Sequence, residues 1–434
     1  MLQVLERNKT AKIKGSPNTL LLTQSGYWRW LGLLLPAITA LVFSLTTPLS
    51  YSKDVTDSPS DFTLRTFCPP GFQPVLSEKT EGKQTRCKLR SFYQQYKSLQ
   101  DGGVGGLKTG LPEYRDGFTP QEIDLGRYLF FDPLLSGNKD MSCASCHHPD
   151  KGLADGKGRS IGANQKALPR SAPSLWNVAF LKRLFWDGRA SSLEEQMLGP
   201  LYDVKEMNNN PQQLLSNLNN SENYQKLFSQ AFPGSTDITL DNIYRALTAF
   251  EASLISLNSR YDQYAHGYDK ALNETEIAGL NVFRSFVARC AECHTPPLFS
   301  NQQIAVIGTP EPEGMPFDIG AEKPTGDPSL RAGFKVPSLR NIDLTAPYMH
   351  SGRFLTLKDT AEFYTKGRGH AVPEGEKLKL HWHIWEPKLS ENELDLLVAF
   401  MKTLTDETFK PQTPEQLPSG LPLVHLDDQG DLDE

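Results

Sequence analysis

The sequence lacks a strong excess of charge of one sign and has few cysteines. Its net charge is -6 over 434 residues, which provides no general electrostatic attraction for nucleic acid, so that class of partner is excluded. Six cysteines in a chain of this length exclude a small scaffold held together by disulfides. Hydrophobic residues make up 38% and charged residues 22%, as is typical of globular proteins, and the length allows about three domains.

Four of the six cysteines lie in two C-x-x-C-H motifs, at residues 143–147 and 290–294. This motif is the covalent attachment signature of c-type haem. The alternatives are a thioredoxin-like dithiol and half of a zinc site, but neither motif has a second Cys/His pair nearby at finger-like spacing. We therefore expect two covalently bound haem c groups. The expected thioether residues are Cys143, Cys146, Cys290 and Cys293, and the expected proximal iron ligands are His147 and His294.

Residues 1–50 have the pattern of an export segment. Haem c is attached outside the bacterial cytoplasm, so a chain with these motifs should be exported. Basic residues precede an apolar stretch at 31–49, which is typical of a signal peptide but is also barely long enough to span a bilayer. A cleaved signal peptide and a membrane anchor both stay open. In either case we expect the protein in the bacterial periplasm, free or anchored to the inner membrane.

Residues 51–106 read as a linker and a small module that contains the other two cysteines, Cys68 and Cys87. In an oxidising compartment these two would form a disulfide. Closing this loop would be worth ~3 kcal/mol on the chain-entropy model. A pair of free thiols is the alternative.

Helix signals dominate the chain after this module. Capping patterns open helices after Thr119, Asn273 and Ser390, where a glutamate follows three residues later, and apolar spacing of 3.6 predicts another helix at 243–254. The first two capped helices each end shortly before a haem motif. These patterns predict a mainly α fold with two tandem cytochrome c-like haem domains after the export segment. The predicted bounds are 107–267 for the first haem domain, 268–410 for the second and 411–434 for a disordered acidic tail.

Four further segments accompany the haem motifs and make the combination specific. They are Leu135–Asn138, Leu184–Ala190, Val336–Asn341 and Thr345–Gly352. On these segments residues 110–408 resemble the bacterial di-haem cytochrome c peroxidase family, which includes the MauG-type enzymes. The resemblance implies an oxidoreductase that reduces hydrogen peroxide at the first haem with electrons relayed through the second. It also implies a partner, either a small periplasmic electron donor such as a cytochrome c or a cupredoxin, or a protein substrate.

The resemblance assigns catalytic roles to Trp186, Gln196 and Glu206. Trp186 corresponds to the family's inter-haem tryptophan, and the other two correspond to its distal glutamine and its acid-base glutamate. Peroxide must lose a proton from the oxygen that binds iron and gain one on the oxygen that leaves, and a carboxylate can carry this proton. Read without the family, Gln196 and Glu206 would be helix-surface residues and Trp186 a core aromatic.

Both sixth iron positions depart from the usual pattern of these peroxidases. Typical members have a histidine after the first haem motif that blocks the iron, whereas here no histidine follows His148 until His266, so the first haem is expected to be open. Family peroxidases usually place a methionine fourteen residues after the position of His350. This chain has Tyr364 there, which resembles the tyrosine ligand of the MauG-type branch. The alternative for Tyr364 is an aromatic packed in the core.

Two further positions bear on cofactors and substrates. The family's calcium ion is held between the haems by an asparagine and two carbonyl groups. Thr345 and Pro347 match the carbonyl positions and Ser171 stands at the asparagine position, so a calcium ion is a further expectation. MauG-type enzymes carry a tryptophan two residues before the second motif, where this chain has Ala288. MauG-like oxidation of a protein side chain and a non-catalytic di-haem electron carrier are the alternative functions.

Overall fold

The structure is a computed structural model that describes residues 62–77, 84–95, 111–365, 372–382, 384 and 387–424. Helices make up most of the regular secondary structure of these residues, which confirms the predicted mainly α class. Among them, no helix is both long enough and apolar enough to cross a membrane. The export segment predicted at 1–50 and the end of the tail, 425–434, lie outside the described residues.

The first helical group is built on the contact between two helices. Helix α1 (Pro120–Phe131) begins at the capping box predicted after Thr119. It packs along α5 (Leu240–Ala252) so closely that a Cβ atom on Gly126 would lie 1.9 Å from the carbonyl oxygen of Ala246. Only glycine therefore allows this crossing. The other helices of the group are α2 (Leu193–Tyr202), α3 (Pro211–Asn219) and α4 (Glu222–Ala231).

The second helical group repeats this contact. Helix α7 (Glu274–Phe283) packs on α11 (Glu391–Lys402), and both helices begin at the predicted capping boxes. A Cβ atom on Gly279 would lie 2.0 Å from the carbonyl oxygen of Leu396. The buried core of this group, which includes Phe400, is separate from the core of the first group. The shorter helices are α6 (Arg260–Ala265), α8 (Cys290–Cys293), α9 (Glu322–Thr325) and α10 (Leu357–Thr365).

The module before the first helical group contains a hairpin of β1 (Phe72–Leu76) and β2 (Thr85–Leu89). A disulfide joins Cys68 to Cys87. The backbone N–H of Cys87 donates to the carbonyl of Phe118 at 2.8 Å, so the hairpin is tied to the chain just before α1. Two more antiparallel pairs are β3 (Ile161–Gly162) with β4 (Lys166–Ala167), and β5 (Ile304–Val306) with β6 (Gly333–Lys335).

The turn that follows the hairpin contacts residues close to both helical groups. Tyr93 packs in a buried cluster with Phe180, which precedes α2, and with Leu298, which follows α8. Its hydroxyl donates to Asp262 Oδ1 at 2.5 Å. Asp262 also forms a fully buried ion pair with Arg340. The described part of the module is therefore attached to the rest of the protein through the buried side chain of Tyr93.

The tail is ordered further along the chain than predicted. Residues 411–424 pack on the first core, where Leu417 is buried and Ser419 Oγ donates to Asp132 Oδ1 at 2.8 Å. The expectation of disorder from residue 411 is therefore wrong for this part. The prediction rested on the proline-rich and acidic composition of the tail. Leu417 and Leu421 nevertheless pack against the first core, and burial of these apolar side chains stabilises the segment.

Candidate functional site

The first cavity adjoins the first haem motif and is lined by its three functional residues, Cys143, Cys146 and His147. The Nδ1 atom of His147 lies 3.0 Å from the carbonyl oxygen of Leu153. Because a carbonyl can only accept, Nδ1 is the donor in this pair, and Nε2 is left free to bind iron. The residues present fit a covalently attached haem with an imidazole ligand.

Gln196 and Glu206 line the same cavity. Gln196 lies on α2, and Glu206 lies in the turn that follows this helix, where its N–H donates to the carbonyl of Asp203 at 3.0 Å. Burial raises the pKa of the Glu206 carboxyl, the Asp203 carboxylate raises it further and Arg189 lowers it. Glu206 therefore keeps its proton to a higher pH than an exposed glutamate, which suits an acid-base group.

His147 is the one histidine that lines the first cavity within the part of the chain that the structure describes. His148, the next residue, instead caps a short turn, where its Nδ1 accepts the N–H of Asp150 at 3.1 Å. The described lining thus offers no second histidine to block an iron. The methionines that line this cavity are Met141, Met197, Met207 and Met315.

The second cavity contains Cys290, Cys293, His294 and Tyr364. The Nδ1 atom of His294 lies 3.1 Å from the carbonyl oxygens of both Phe299 and Pro337, so its Nε2 is also free for iron. Burial and the two neighbouring cysteines raise the pKa of the Tyr364 hydroxyl. A phenolate at this position therefore needs a cation beside it, as an iron ion would provide. Met349 and Met401 line this cavity as well.

Trp186 lines both cavities. Its indole N–H donates to the carbonyl of Ser171 at 2.9 Å, and its own carbonyl accepts the N–H of Lys335 at 2.7 Å. The ring of His350 lies 6.4 Å from the indole ring. These contacts fix the tryptophan between the two cavities, as the resemblance implies for an inter-haem residue.

The three residues expected to bind calcium, Ser171, Thr345 and Pro347, all line the second cavity. The Ser171 hydroxyl donates to the carbonyl of Met349 at 3.1 Å. Within the described ranges, no group of three or more His, Cys, Asp or Glu side chains could hold a metal ion. A calcium ion here would depend on hydroxyl, carbonyl and water oxygens.

Glu251 and Lys335 are buried charged residues of the cavities that were not among the predicted site residues. Glu251 lines the first cavity and Lys335 lines both. Glu251 follows Leu247 by one turn of α5, on a face that the apolar spacing predicted to be buried, and a charged residue on such a face was the available signal. Burial lowers the pKa of Lys335 to about 8, but nothing in the sequence marks this lysine.

Each cavity thus has a cysteine pair and a histidine with a free Nε2, and a tryptophan lies between the two. This arrangement is that of a di-haem redox protein.

A family model described as di-haem cytochrome c peroxidase matches residues 120–270. The chain is 34% identical over 297 residues to the methylamine utilization protein MauG of Methylophilus methylotrophus, a match covering 68% of this chain and 86% of that protein. It is 35% identical over 293 residues to the cytochrome c551 peroxidase of Nitrosomonas europaea, covering 67% of this chain and 82% of that protein.

Solved structures agree with these relatives. A MauG-like protein associated with microbial copper homeostasis matches 71% of this chain and 96% of its own, with a TM-score of 0.63 and 30% identity. The diheme peroxidase BthA of Burkholderia thailandensis matches 82% of this chain and 99% of its own, with a TM-score of 0.58 and 25% identity. The chain belongs to the MauG-like di-haem cytochrome c peroxidase family. It is a di-haem peroxidase, an oxidoreductase with haem cofactors and peroxide as substrate.

Proposed function

We propose that the protein reduces hydrogen peroxide at a haem c held covalently in the first cavity, while a second haem c in the second cavity delivers the electrons. One observation carries this assignment of roles. The first cavity brings His147 together with Gln196 and Glu206, and its described lining has no second histidine. The second cavity instead holds Tyr364 with His294. The first site is thus arranged for a substrate and the second for a fixed ligand.

The cysteines are the attachment points in this proposal. Burial raises the pKa of Cys146 and of Cys290 to about 12, so both are neutral thiols before attachment. A bound haem would supply the iron that binds peroxide and the electrons that split it. His147 and His294 would hold the two irons through Nε2, with Tyr364 on the second iron.

Glu206 and Gln196 would handle the peroxide itself. The Glu206 carboxylate would accept the proton of the oxygen that binds iron and return it to the oxygen that leaves as water. The Gln196 side-chain amide can donate and accept hydrogen bonds without taking up the proton. It would therefore orient peroxide. Trp186 would carry electrons between the two cavities that it lines.

The wider setting completes the proposal. The two helical groups, each with its own core and its own glycine contact between helices, would be two tandem cytochrome c-like domains. A calcium ion would lie between them at Ser171, Thr345 and Pro347. Because haem c is attached outside the cytoplasm, the protein would work in the bacterial periplasm, where a small cytochrome c or cupredoxin would donate electrons. Residues 1–50 would direct export or form an inner-membrane anchor.

MauG-like oxidation of a partner protein is the second candidate, because MauG proteins are among the relatives. Ala288, at the position of the MauG-type tryptophan, lines the second cavity and cannot relay an electron. The aromatic residue closest to it in the chain is Phe286, which is 74% exposed. Phenylalanine is much harder to oxidise than tryptophan, so peroxide reduction is the better-supported function.

Stopped-flow mixing of the fully oxidised di-haem protein with one equivalent of peroxide tests the proposal. We expect an immediate shift of the haem absorption bands without added reductant, because the described lining of the first cavity has no second histidine to block the iron. Tyr364→His should make the shifted spectrum decay faster, because the phenolate no longer stabilises oxidised iron. Tyr348→Phe is the matched control, because Tyr348 lines the same cavity but its hydroxyl bonds the carbonyl of Ile342 at 3.1 Å. A protein that is inert until half-reduced would contradict the open first site, and inertness in every state would indicate an electron carrier.

A further inference from the structure

Glu251 is a buried carboxyl of the first cavity with no role in the proposed chemistry so far. It lies on α5 and lines the cavity together with Leu247, one turn earlier. The residue is 7% exposed, and its Oε2 atom has no hydrogen-bond partner among the described residues. An unpaired buried carboxylate is costly, so a group in this position needs either a proton or a cation.

Among the residues that the structure describes, no cation acts on the pKa of Glu251. Burial is the main cause that raises the pKa of the Glu251 carboxyl, to about 8. The second cause is the charge of Glu194 on α2. Arg115 forms an ion pair with Glu194 rather than with Glu251. Glu251 is therefore protonated at neutral pH. The other acidic groups on helices packed against α5 have partners of their own: Glu122 bonds Arg245, Asp124 bonds Arg127, and Glu195 bonds Ser191.

Glu251 also lies close to the haem attachment point. Its charge contributes to raising the pKa of the Cys143 thiol, which would carry one thioether bond. A carboxylate here would repel an electron added to a haem in the cavity, since the two charges have the same sign and little water separates them. Protonation of Glu251 and arrival of the electron therefore favour each other.

The overall reaction needs such protons. Reduction of one hydrogen peroxide to two waters consumes two electrons and two protons, and Glu206 only moves a proton that peroxide already has. We propose that Glu251 is a redox-linked proton site of the first cavity. At neutral pH this carboxyl holds its proton until an electron passes from the cavity to peroxide. Its O–H bond then breaks, and the proton goes to the oxygen that becomes water. The carboxylate regains a proton from the solvent when the donor protein's next electron enters the cavity. This inference rests on the proposed function, because it needs a haem in the first cavity.

The test is the midpoint potential of the first haem, measured by spectroelectrochemical titration of the di-haem protein between about pH 6 and pH 10, a range that brackets the raised carboxyl pKa. In the unmodified protein we expect the potential to fall as pH rises through the region near pH 8, because the ionised carboxylate disfavours the added electron. In Glu251→Gln the potential should not change with pH in that region. Infrared spectra should also lose one protonated-carboxyl band at neutral pH in this variant.

Two controls separate Glu251 from its neighbours. Glu206→Gln should keep the pH dependence near pH 8, because Glu206 is a different group in the same cavity. Glu194→Gln should shift the pH dependence of the midpoint potential to lower pH, because the repulsion that raises the pKa of Glu251 is removed. Glu194 is partly exposed, so this variant tests the inference even if Glu251→Gln does not fold.

An unchanged pH dependence in Glu251→Gln or in Glu194→Gln would overturn the inference and leave the proposed function intact. Absence of the first haem, or of any peroxide reaction, in the unmodified protein would instead refute the proposed function.

Discussion

Two glutamates of the first cavity differ in the charges around them. Glu206 lies between Asp203, which raises its pKa, and Arg189, which lowers it. Glu251 has the carboxylate Glu194 as its charged neighbour, and no cation among the described residues acts on its pKa. Opposing charges thus act on the Glu206 proton, whereas the charge that acts on Glu251 only favours holding its proton. This difference matches a shuttle that must act in both directions and a store that fills and empties once for each electron.

Glu206→Gln should leave both haems attached and slow peroxide consumption by ~10²-fold or more, since a positioned acid-base group contributes about that much. The amide keeps the size of the side chain but cannot take up the proton. Steady-state peroxide consumption with a reduced cytochrome c measures the effect. Glu195→Gln is the matched control, because Glu195 is exposed on the same stretch of chain and does not line the cavity. Equal rates in the two variants would remove Glu206 from the mechanism.

Site residues could be predicted from the sequence where a fixed spacing identifies them. The haem motifs and the segment around Trp186 have such spacing, and the cavities bring these residues together with Gln196, Glu206 and Tyr364 as expected. Lys335 could not be predicted in this way, and Glu251 was marked only by its position on the apolar face of α5. The burial of both residues depends on parts of the chain that are distant in sequence, which local spacing does not contain.

At the scale of elements, the start of a helix is determined by residues close together in the sequence. The contact between two helices depends on residues far apart in the sequence. The capping boxes after Thr119, Asn273 and Ser390 each involve residues only three apart, so the sequence was sufficient to predict them. The crossings at Gly126 and Gly279 depend on the backbone of a second helix. A glycine inside a helix otherwise signals only a weaker helix.

Gly126→Ala should destabilise the protein although alanine is the better helix former. The added Cβ would lie 1.9 Å from the carbonyl oxygen of Ala246, so α1 and α5 must move apart. Overpacking of a core typically costs ~1–3 kcal/mol, which exceeds the gain of about 1 kcal/mol in helix propensity. Chemical denaturation should show a lower midpoint. Lys226→Ala, at an exposed position of α4, should change stability by less than about 0.5 kcal/mol. A Gly126→Ala protein as stable as this control would show that the contact is not tight.

At the scale of the whole molecule, the hairpin module connects parts of the chain that are far apart in sequence. The hairpin is bonded to Phe118, and Tyr93 after it contacts Phe180, Leu298 and Asp262. Because the module contacts residues close to both helical groups, it restricts the movement of one group relative to the other. The distance between the two haem cavities, on which electron transfer depends, is therefore held partly by residues that come before the first haem motif.

Replacing both Cys68 and Cys87 by serine should lower the free energy of unfolding by ~3 kcal/mol, because the open loop gains entropy in the unfolded chain. Thermal and denaturant unfolding of the di-haem protein measure this loss. Mild reductant should destabilise the unmodified protein by a similar amount and leave the double variant unchanged. If the double variant unfolds at the same midpoint as the unmodified protein, the disulfide contributes no stability.

The position of Tyr93 has a consequence for the order of assembly. The hairpin module is synthesised before both helical groups, yet the ion pair that receives the tyrosine hydroxyl joins Asp262 to Arg340, so its docking surface exists only after most of the chain has been made. Contacts between residues so distant in sequence form late in folding. We therefore expect the module to dock only after Asp262 and Arg340 have been brought together.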